Sequence, residues 1–163
     1  MLKTFSAVVS VICLLCGSLN AQGSKTSEPK VRALLLAPGG PTMDLFTLDI
    51  KTGKVSGPGL VGARGISDPF TPGALAFSFA IEDKSKENGY RPVADVTLPP
   101  EGKDFIVLLE PNGETFKTHL VRGKAPRFGN SATMFFIATD VPIGVTLGDN
   151  KVVVLPRKPS LGE

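Results

Sequence analysis

Short apolar segments separated by Gly and Pro make up most of the chain after residue 30. These segments are rich in β-branched and aromatic residues, and none shows an apolar stripe at helical spacing over about a dozen residues. The pattern predicts strands at residues 31–37, 44–50, 74–81, 93–98, 105–110, 115–121, 133–139, 145–147 and 151–155. It also predicts that the Gly57-Pro58-Gly59 stretch is a strand-breaking loop.

Turn sequences between these segments indicate that neighbouring strands are antiparallel. Gly53 falls where a hairpin needs positive φ, the Pro111 to Gly113 stretch combines a fixed φ with an Asn-Gly pair, and residues 148–150 form a third break. An all-β fold follows, with an antiparallel two-layer β-sandwich of about seven to nine strands as the predicted architecture. A small closed β-barrel is the alternative.

Residues 1–21 have the layout of a cleavable secretory signal. A single cation, Lys3, precedes an apolar run that is shorter than the roughly 20 residues needed to span a bilayer, and small or polar residues lead to Ala21. We therefore expect a 22–30 flexible leader, a single domain at 31–155 and a 156–163 flexible tail, in a periplasmic or secreted protein. The alternative is a lipid anchor on Cys16. Sequences that resemble bacterial lipoprotein signals have Gly, Ala or Ser before the acylated cysteine, whereas the residue before Cys16 is Leu15.

Both cysteines lie within the predicted signal, at positions 13 and 16. The mature domain would therefore have no disulfide, no thiolate nucleophile and no zinc thiolate site, and we predict neither a cofactor nor a metal. Removal of Lys3 leaves 17 Lys and Arg against 15 Asp and Glu, an excess too small to predict nucleic-acid binding.

Residues that usually carry catalysis are few. His119 is the only histidine, and strand alternation places it with Lys117 on a polar face that we expect to be half-exposed. The carboxylates Glu82, Asp83 and Glu87 share a loop with lysines, which is typical of a solvated loop of mixed charge. The sequence thus predicts a protein that is not an enzyme, with a hydrolase dependent on those carboxylates as an alternative.

One loop has the composition of a binding edge. Residues 122–130 (RGKAPRFGN) bring three cations and an aromatic residue together between two predicted strands, which suits a phosphate, an acidic glycan or an acidic protein surface. A solvated loop with Phe128 tucked into the core is the simpler interpretation. The candidate binding residues here are Arg122, Lys124, Arg127, Phe128 and Asn130.

The second half of the chain also resembles a known class of protein. Residues 105–156 contain an apolar strand (FIVLLEP), a Phe-Gly-Asn-Ser loop, a second apolar strand (MFFIATDVP) and a final Val-Val-Val-Leu-Pro. This order resembles small exported bacterial β-sandwich proteins of unknown function. The resemblance implies the fold and export, and it implies no active site.

Together these features predict an exported, non-catalytic binding or assembly domain that contacts another cell-envelope or extracellular component. We expect a protein partner, no nucleic acid and no stable transmembrane anchor after signal cleavage. A carbohydrate-binding module is the first alternative, with Tyr90, the single tyrosine, as its candidate aromatic contact, since sugar rings stack on exposed aromatic side chains.

Signal cleavage is testable by intact mass. We expect the protein isolated from its native cells to begin at Gln22, and a Cys16→Ser variant to yield the same mature mass. A lipid-anchored protein would instead begin at Cys16, would be heavier by its acyl chains, and would not form in the variant.

Overall fold

The computed structural model of the chain describes residues 28–123, 133–157 and 160–162, and these contain strands and turns but no helix. The strands are β1 (Lys30–Leu35), β2 (Met43–Asp49), β3 (Val55–Val61), β4 (Ala76–Glu82), β5 (Tyr90–Thr97), β6 (Asp104–Asn112), β7 (Thr115–Arg122), β8 (Thr133–Phe135), β9 (Ile143–Leu147), β10 (Asn150–Val154) and β11 (Ser160–Gly162).

The first seven strands form a β-sandwich, as the sequence predicted. One sheet has the order β1-β6-β7 and the other has the order β3-β2-β4-β5. Antiparallel pairing dominates, and the parallel ladder between β1 and β6 departs from the expected pattern. Over the described residues the strands close no barrel, and two further antiparallel pairs, β9–β10 and β8–β11, complete the pairing.

Alternation along the strands builds one core between the two sheets. Val31, Ala33 and Leu35 of β1 are buried on the inner face, and the same spacing buries Phe105 and Leu109 of β6. Phe77 and Phe79 of β4 face them from the other sheet and meet edge to face, with ring centroids 5.4 Å apart. Each of these large side chains contributes about 1.5–3 kcal/mol by leaving water.

A connecting segment that precedes β4 covers the outer edge of β1. Phe70 and Val31 exchange two backbone hydrogen bonds of 2.9 and 2.6 Å, and the amide of Ser67 donates to the carbonyl of Ala33. The Phe70 ring then packs on Phe79 of the second sheet, with centroids 5.3 Å apart. The segment protects an edge that would otherwise present unpaired backbone groups, and it connects the two sheets.

The predicted hairpin turns have the expected backbone. Gly53 has φ +69° in the β2–β3 turn, and Gly113 has φ +66° in the β6–β7 turn. Positive φ is the conformation that only glycine adopts without steric cost, so these two positions fix the register of both hairpins.

Two strands were not predicted. β3 runs through Gly57-Pro58-Gly59, so the prediction of a loop there was wrong. The physical reason is that β3 is an edge strand paired with β2 alone, and an edge strand tolerates a proline because one side of its backbone needs no partner. β11 pairs with β8 over three residues, a non-local contact that has no local sequence signal.

Gly59 is required by the position of the Phe70 ring. A Cβ atom at residue 59 would lie 2.4 Å from the ring. We expect Gly59→Ala to lower the free energy of unfolding by about 1–3 kcal/mol through overpacking, measured by denaturant titration. Gly65→Ala is the matched control, because a Cβ there would meet no atom within 4 Å and Gly65 does not have positive φ. Equal loss in both variants would contradict this account.

Candidate functional site

A partly buried ion cluster lies on the outer face of the β1-β6-β7 sheet. His119 Nε2 of β7 lies 2.7 Å from Glu110 Oε2 of β6, and the two side chains are only 14% and 19% exposed. Because an ionised carboxylate can only accept, Nε2 carries the proton and donates it in this hydrogen bond. The Phe136 ring packs against the imidazole, with centroids 5.0 Å apart.

Arg157 joins this pair from beyond β10. Its NH1 donates to Glu110 Oε2 at 2.9 Å, and its NH2 bonds Asp140 Oδ1 at 3.1 Å. Its backbone amide donates to the carbonyl of Ile137. Glu110, His119, Asp140 and Arg157 together form what we term the Glu110 cluster, which ties the chain after β7 to the β6–β7 hairpin.

The backbone of Arg157 is in a conformation with a steric cost, and the contacts of the Glu110 cluster hold it there. Its φ is +54°, in the left-handed region that a residue with a side chain seldom adopts. Such a conformation persists where the surrounding contacts fix it, and here the guanidinium bonds two carboxylates while the backbone amide is also bonded.

Hydrogen bonding sets the ionisation of Glu110. The hydrogen bond from His119 lowers the pKa of the Glu110 carboxyl below its ordinary value of 4.5, and the charge of Arg157 lowers it further, while burial opposes both. Glu110 is therefore ionised at neutral pH. In this state it accepts from both partners at once.

The expectation for His119 was wrong about its surroundings. Alternation along β7 was predicted correctly, but the face that carries Lys117 and His119 is covered near His119 by Phe136 and Arg157. The hairpin register held the missing signal. Asn112 pairs with Thr115 across the turn, so Glu110 pairs with Lys117. His119 is two residues beyond Lys117 on the same face, which places it diagonally opposite Glu110 and within reach of it.

The predicted basic site is described only at its first residue. Arg122 is exposed at the end of β7, whereas Lys124, Arg127, Phe128 and Asn130 lie outside the described residues. Strand pairing brings Arg122 beside Phe105 and Lys30 beside Asp104, and the Lys30 amide donates to the carbonyl of Lys103. We call Lys30, Arg32, Lys103 and Arg122 the basic end of the sheet.

Tyr90 is the other predicted contact residue, and it begins β5. Its ring is half-buried and meets Phe46 edge to face, with centroids 4.9 Å apart. Part of the ring surface that a sugar would stack on is thus used in packing. The neighbouring Arg91 approaches Asp83 at 3.8 Å and Glu114 at 3.5 Å.

The carboxylates of the β4–β5 loop have local structural roles. Asp83 accepts hydrogen bonds from the amide and the hydroxyl of Ser85, and these lower the pKa of its carboxyl. Glu82 and Glu87 are exposed. Among the residues that the structure describes, no three His, Cys, Asp or Glu side chains are grouped to hold a metal ion, and no helix is long and apolar enough to cross a membrane.

Comparison with protein-family models, curated proteins and solved structures gave no match to this chain. The interpretation of its surfaces therefore depends on its own geometry.

The lowered pKa of Glu110 predicts a pH-dependent stability. The contribution of the ionised Glu110 carboxylate to the free energy of unfolding should be complete above pH 4.5. It should be lost as the pH falls through the lower pKa that Glu110 has in the folded state. We expect Glu110→Gln to reduce the free energy of unfolding by about 1–2 kcal/mol at pH 7 and by much less at pH 2.5, measured by denaturant titration. Glu101→Gln, at an exposed carboxylate, is the control and should have little effect at either pH. A deficit of equal size at both pH values would show that the carboxylate charge is not the stabilising feature.

Proposed function

We propose that this chain is an exported, non-catalytic binding or assembly domain that uses the basic end of the β1-β6-β7 sheet to contact an acidic surface of another envelope or extracellular protein. The observation that carries the proposal is the gathering of exposed cations from three separate parts of the sequence. Lys30 comes from β1, Lys103 from the loop before β6, and Arg122 from β7.

These cations differ from Arg32, at the same end of the sheet, in having no ion-pair partner among the described residues. Arg32 is neutralised by Asp104 at 2.9 Å. In contrast, Lys30, Lys103 and Arg122 are exposed and form no ion pair with any described residue. Their charge is available to an external anion, and a paired charge such as Arg32 is not.

The Arg32–Asp104 pair also gives this end a fixed shape. Gly123 donates its amide to the carbonyl of Asp104, and a Cβ at Gly123 would lie 2.9 Å from both the Arg32 guanidinium and the Asp104 carboxylate. The chain therefore leaves β7 in close contact with this pair. Lys124 and Arg127 follow within four residues of Gly123 in the sequence.

An interface of this kind would be electrostatic at its rim. Complementary charges accelerate association and select partners, and their effect decreases as salt screens them. The proposal thus implies a partner with an acidic surface and a complex that weakens with ionic strength.

The test begins with cross-linking and affinity purification of the tagged full-length protein from its native cell envelope. Affinity for the captured partner is then measured with a variant that carries Lys30→Ser, Lys103→Ser and Arg122→Ser, which removes the three unpaired cations of the basic end. If each of the three cations makes one exposed ion pair of about 0.5 kcal/mol with the partner, we expect the variant to bind about tenfold more weakly.

The matched control removes the same charge elsewhere. Lys54, Lys84 and Lys151 are exposed lysines in other turns and strands, and changing all three to Ser should leave the affinity unchanged. Equal affinity of the wild type and the basic-end variant would overturn the proposal. Retention on an acidic polysaccharide, without any protein partner, would also overturn it in favour of a glycan ligand.

A further inference from the structure

A cleft opens between edge strand β3 and the segment that covers β1. Its volume is about 460 Å³, and the lining residues used below are Thr47, Ser56, Pro58, Asp68, Pro69 and Thr71. We call it the β3 cleft. Its size lies within the ~300–1,000 Å³ that is usual for small-molecule sites. It shares no residue with the basic end.

The wall that carries Asp68 is held rigidly. The Ser67 hydroxyl accepts from the Ala33 amide at 2.9 Å, and the Ser67 amide donates to the Ala33 carbonyl at 2.9 Å. The amide and the carbonyl of Phe70 both bond to the backbone of Val31. Asp68 lies between these two anchored residues. The cleft is therefore formed before a ligand arrives, and ligand binding does not carry the entropic cost of ordering this wall.

A buried hydroxyl lies at the base of the cleft. Thr47 is 3% exposed, on a strand whose inner face otherwise joins the core. Its Oγ1 is 3.4 Å from the carbonyl of Ser56, longer than the 2.7–3.2 Å that is common for a hydrogen bond. A buried hydroxyl in so weak a bond has donor and acceptor capacity left for another group.

The polar groups of the cleft are suited to a neutral ligand with several hydroxyls. The Asp68 carboxylate is exposed, and within the described part of the chain it has no hydrogen-bond or ion-pair partner. Ser56 and Thr71 contribute further hydroxyls. None of the cleft residues is a cation, so an anionic ligand would meet a negative charge that no neighbouring group compensates.

An apolar surface lies beside these groups. Pro69 lines the cleft and is exposed, and Pro58 on β3 is also exposed. An aliphatic surface next to hydroxyls and a carboxylate matches the chemistry of a sugar ring, which has apolar C–H faces and a rim of hydroxyls. Addition of a peptide strand is less suited to this edge, because Pro58 has no N–H and two glycines flank it.

We propose that the β3 cleft binds a neutral mono- or disaccharide, with its hydroxyls bonded to Asp68 and Thr47 and its apolar face against Pro69. This site goes beyond the proposed function and is independent of it. The stacking residue considered for a carbohydrate in the sequence, Tyr90, plays no part in it.

The test is a titration of the ¹⁵N-labelled mature protein with neutral sugars: glucose, galactose, mannose, N-acetylglucosamine and cellobiose. We expect at least one sugar to shift the backbone amide resonances of Ser56, Gly59, Leu60 and Thr71, and not those of the β9–β10 hairpin. Asp68→Asn should weaken this binding by about tenfold, since a hydrogen bond to a charged group is lost.

The control removes a carboxylate charge far from the cleft. The matching variant is Asp149→Asn rather than a change at Asp44, which pairs with Leu60 of the cleft: Asp149 is an exposed carboxylate in the distant β9–β10 turn, so its amide variant should bind the sugar as the wild type does. Thr47→Val removes the buried hydroxyl and should also weaken binding, with the dispersion of the amide spectrum reporting that the variant is folded.

Three results would overturn the proposal. The first is the absence of shifts at the cleft with every sugar, and the second is a sugar response that Asp68→Asn leaves unchanged. The third is a response to glucosamine that neutral sugars do not produce, which would assign the cleft to a cation.

Discussion

The position of Phe70 is the constraint on which most of this structure depends. Its backbone pairs with Val31 and closes the edge of β1, and its ring packs on Phe79 of the opposite sheet. The same ring lies so close to Gly59 that β3 can approach only without a side chain at that position. One residue in a connecting segment thus sets the spacing of the two sheets and one wall of the β3 cleft, in a domain that the sequence predicts to have no disulfide after export.

The outer face of the β1-β6-β7 sheet is stabilised differently from the inner face. Apolar side chains meet across the core, whereas the Glu110 cluster holds the chain after β7 by hydrogen bonds to one carboxylate. Such bonds are directional, and they require Arg157 to adopt an unusual backbone conformation. The core fixes the sandwich through many interchangeable apolar contacts, and the cluster fixes a single arrangement of the later strands through a few contacts that cannot be exchanged.

The sequence predicted the features that are local, and it did not predict those that depend on pairing between distant segments. Turn glycines such as Gly113 and the alternation along β7 were predicted because they act over a few residues. β3 was missed because its Gly-Pro-Gly stretch is typical of a loop, and only its edge position makes it a strand. His119 was assigned to a wet face because Phe136 and Arg157, which cover it, are distant in sequence. The β3 cleft has no sequence signature at all, since its two walls meet only in the folded chain.

The parallel ladder between β1 and β6 has a consequence for the order of events when the chain folds. Each residue of β1 pairs with one 74 positions later, as in Lys30 with Asp104. Contacts between such distant residues form late, because a long loop must close before any of them is made. Because a chain is synthesised from its N-terminus, β1 is made first and remains without its partner until β6 has followed. The topology therefore delays the three-stranded sheet, and the core that it covers, until most of the domain has been synthesised.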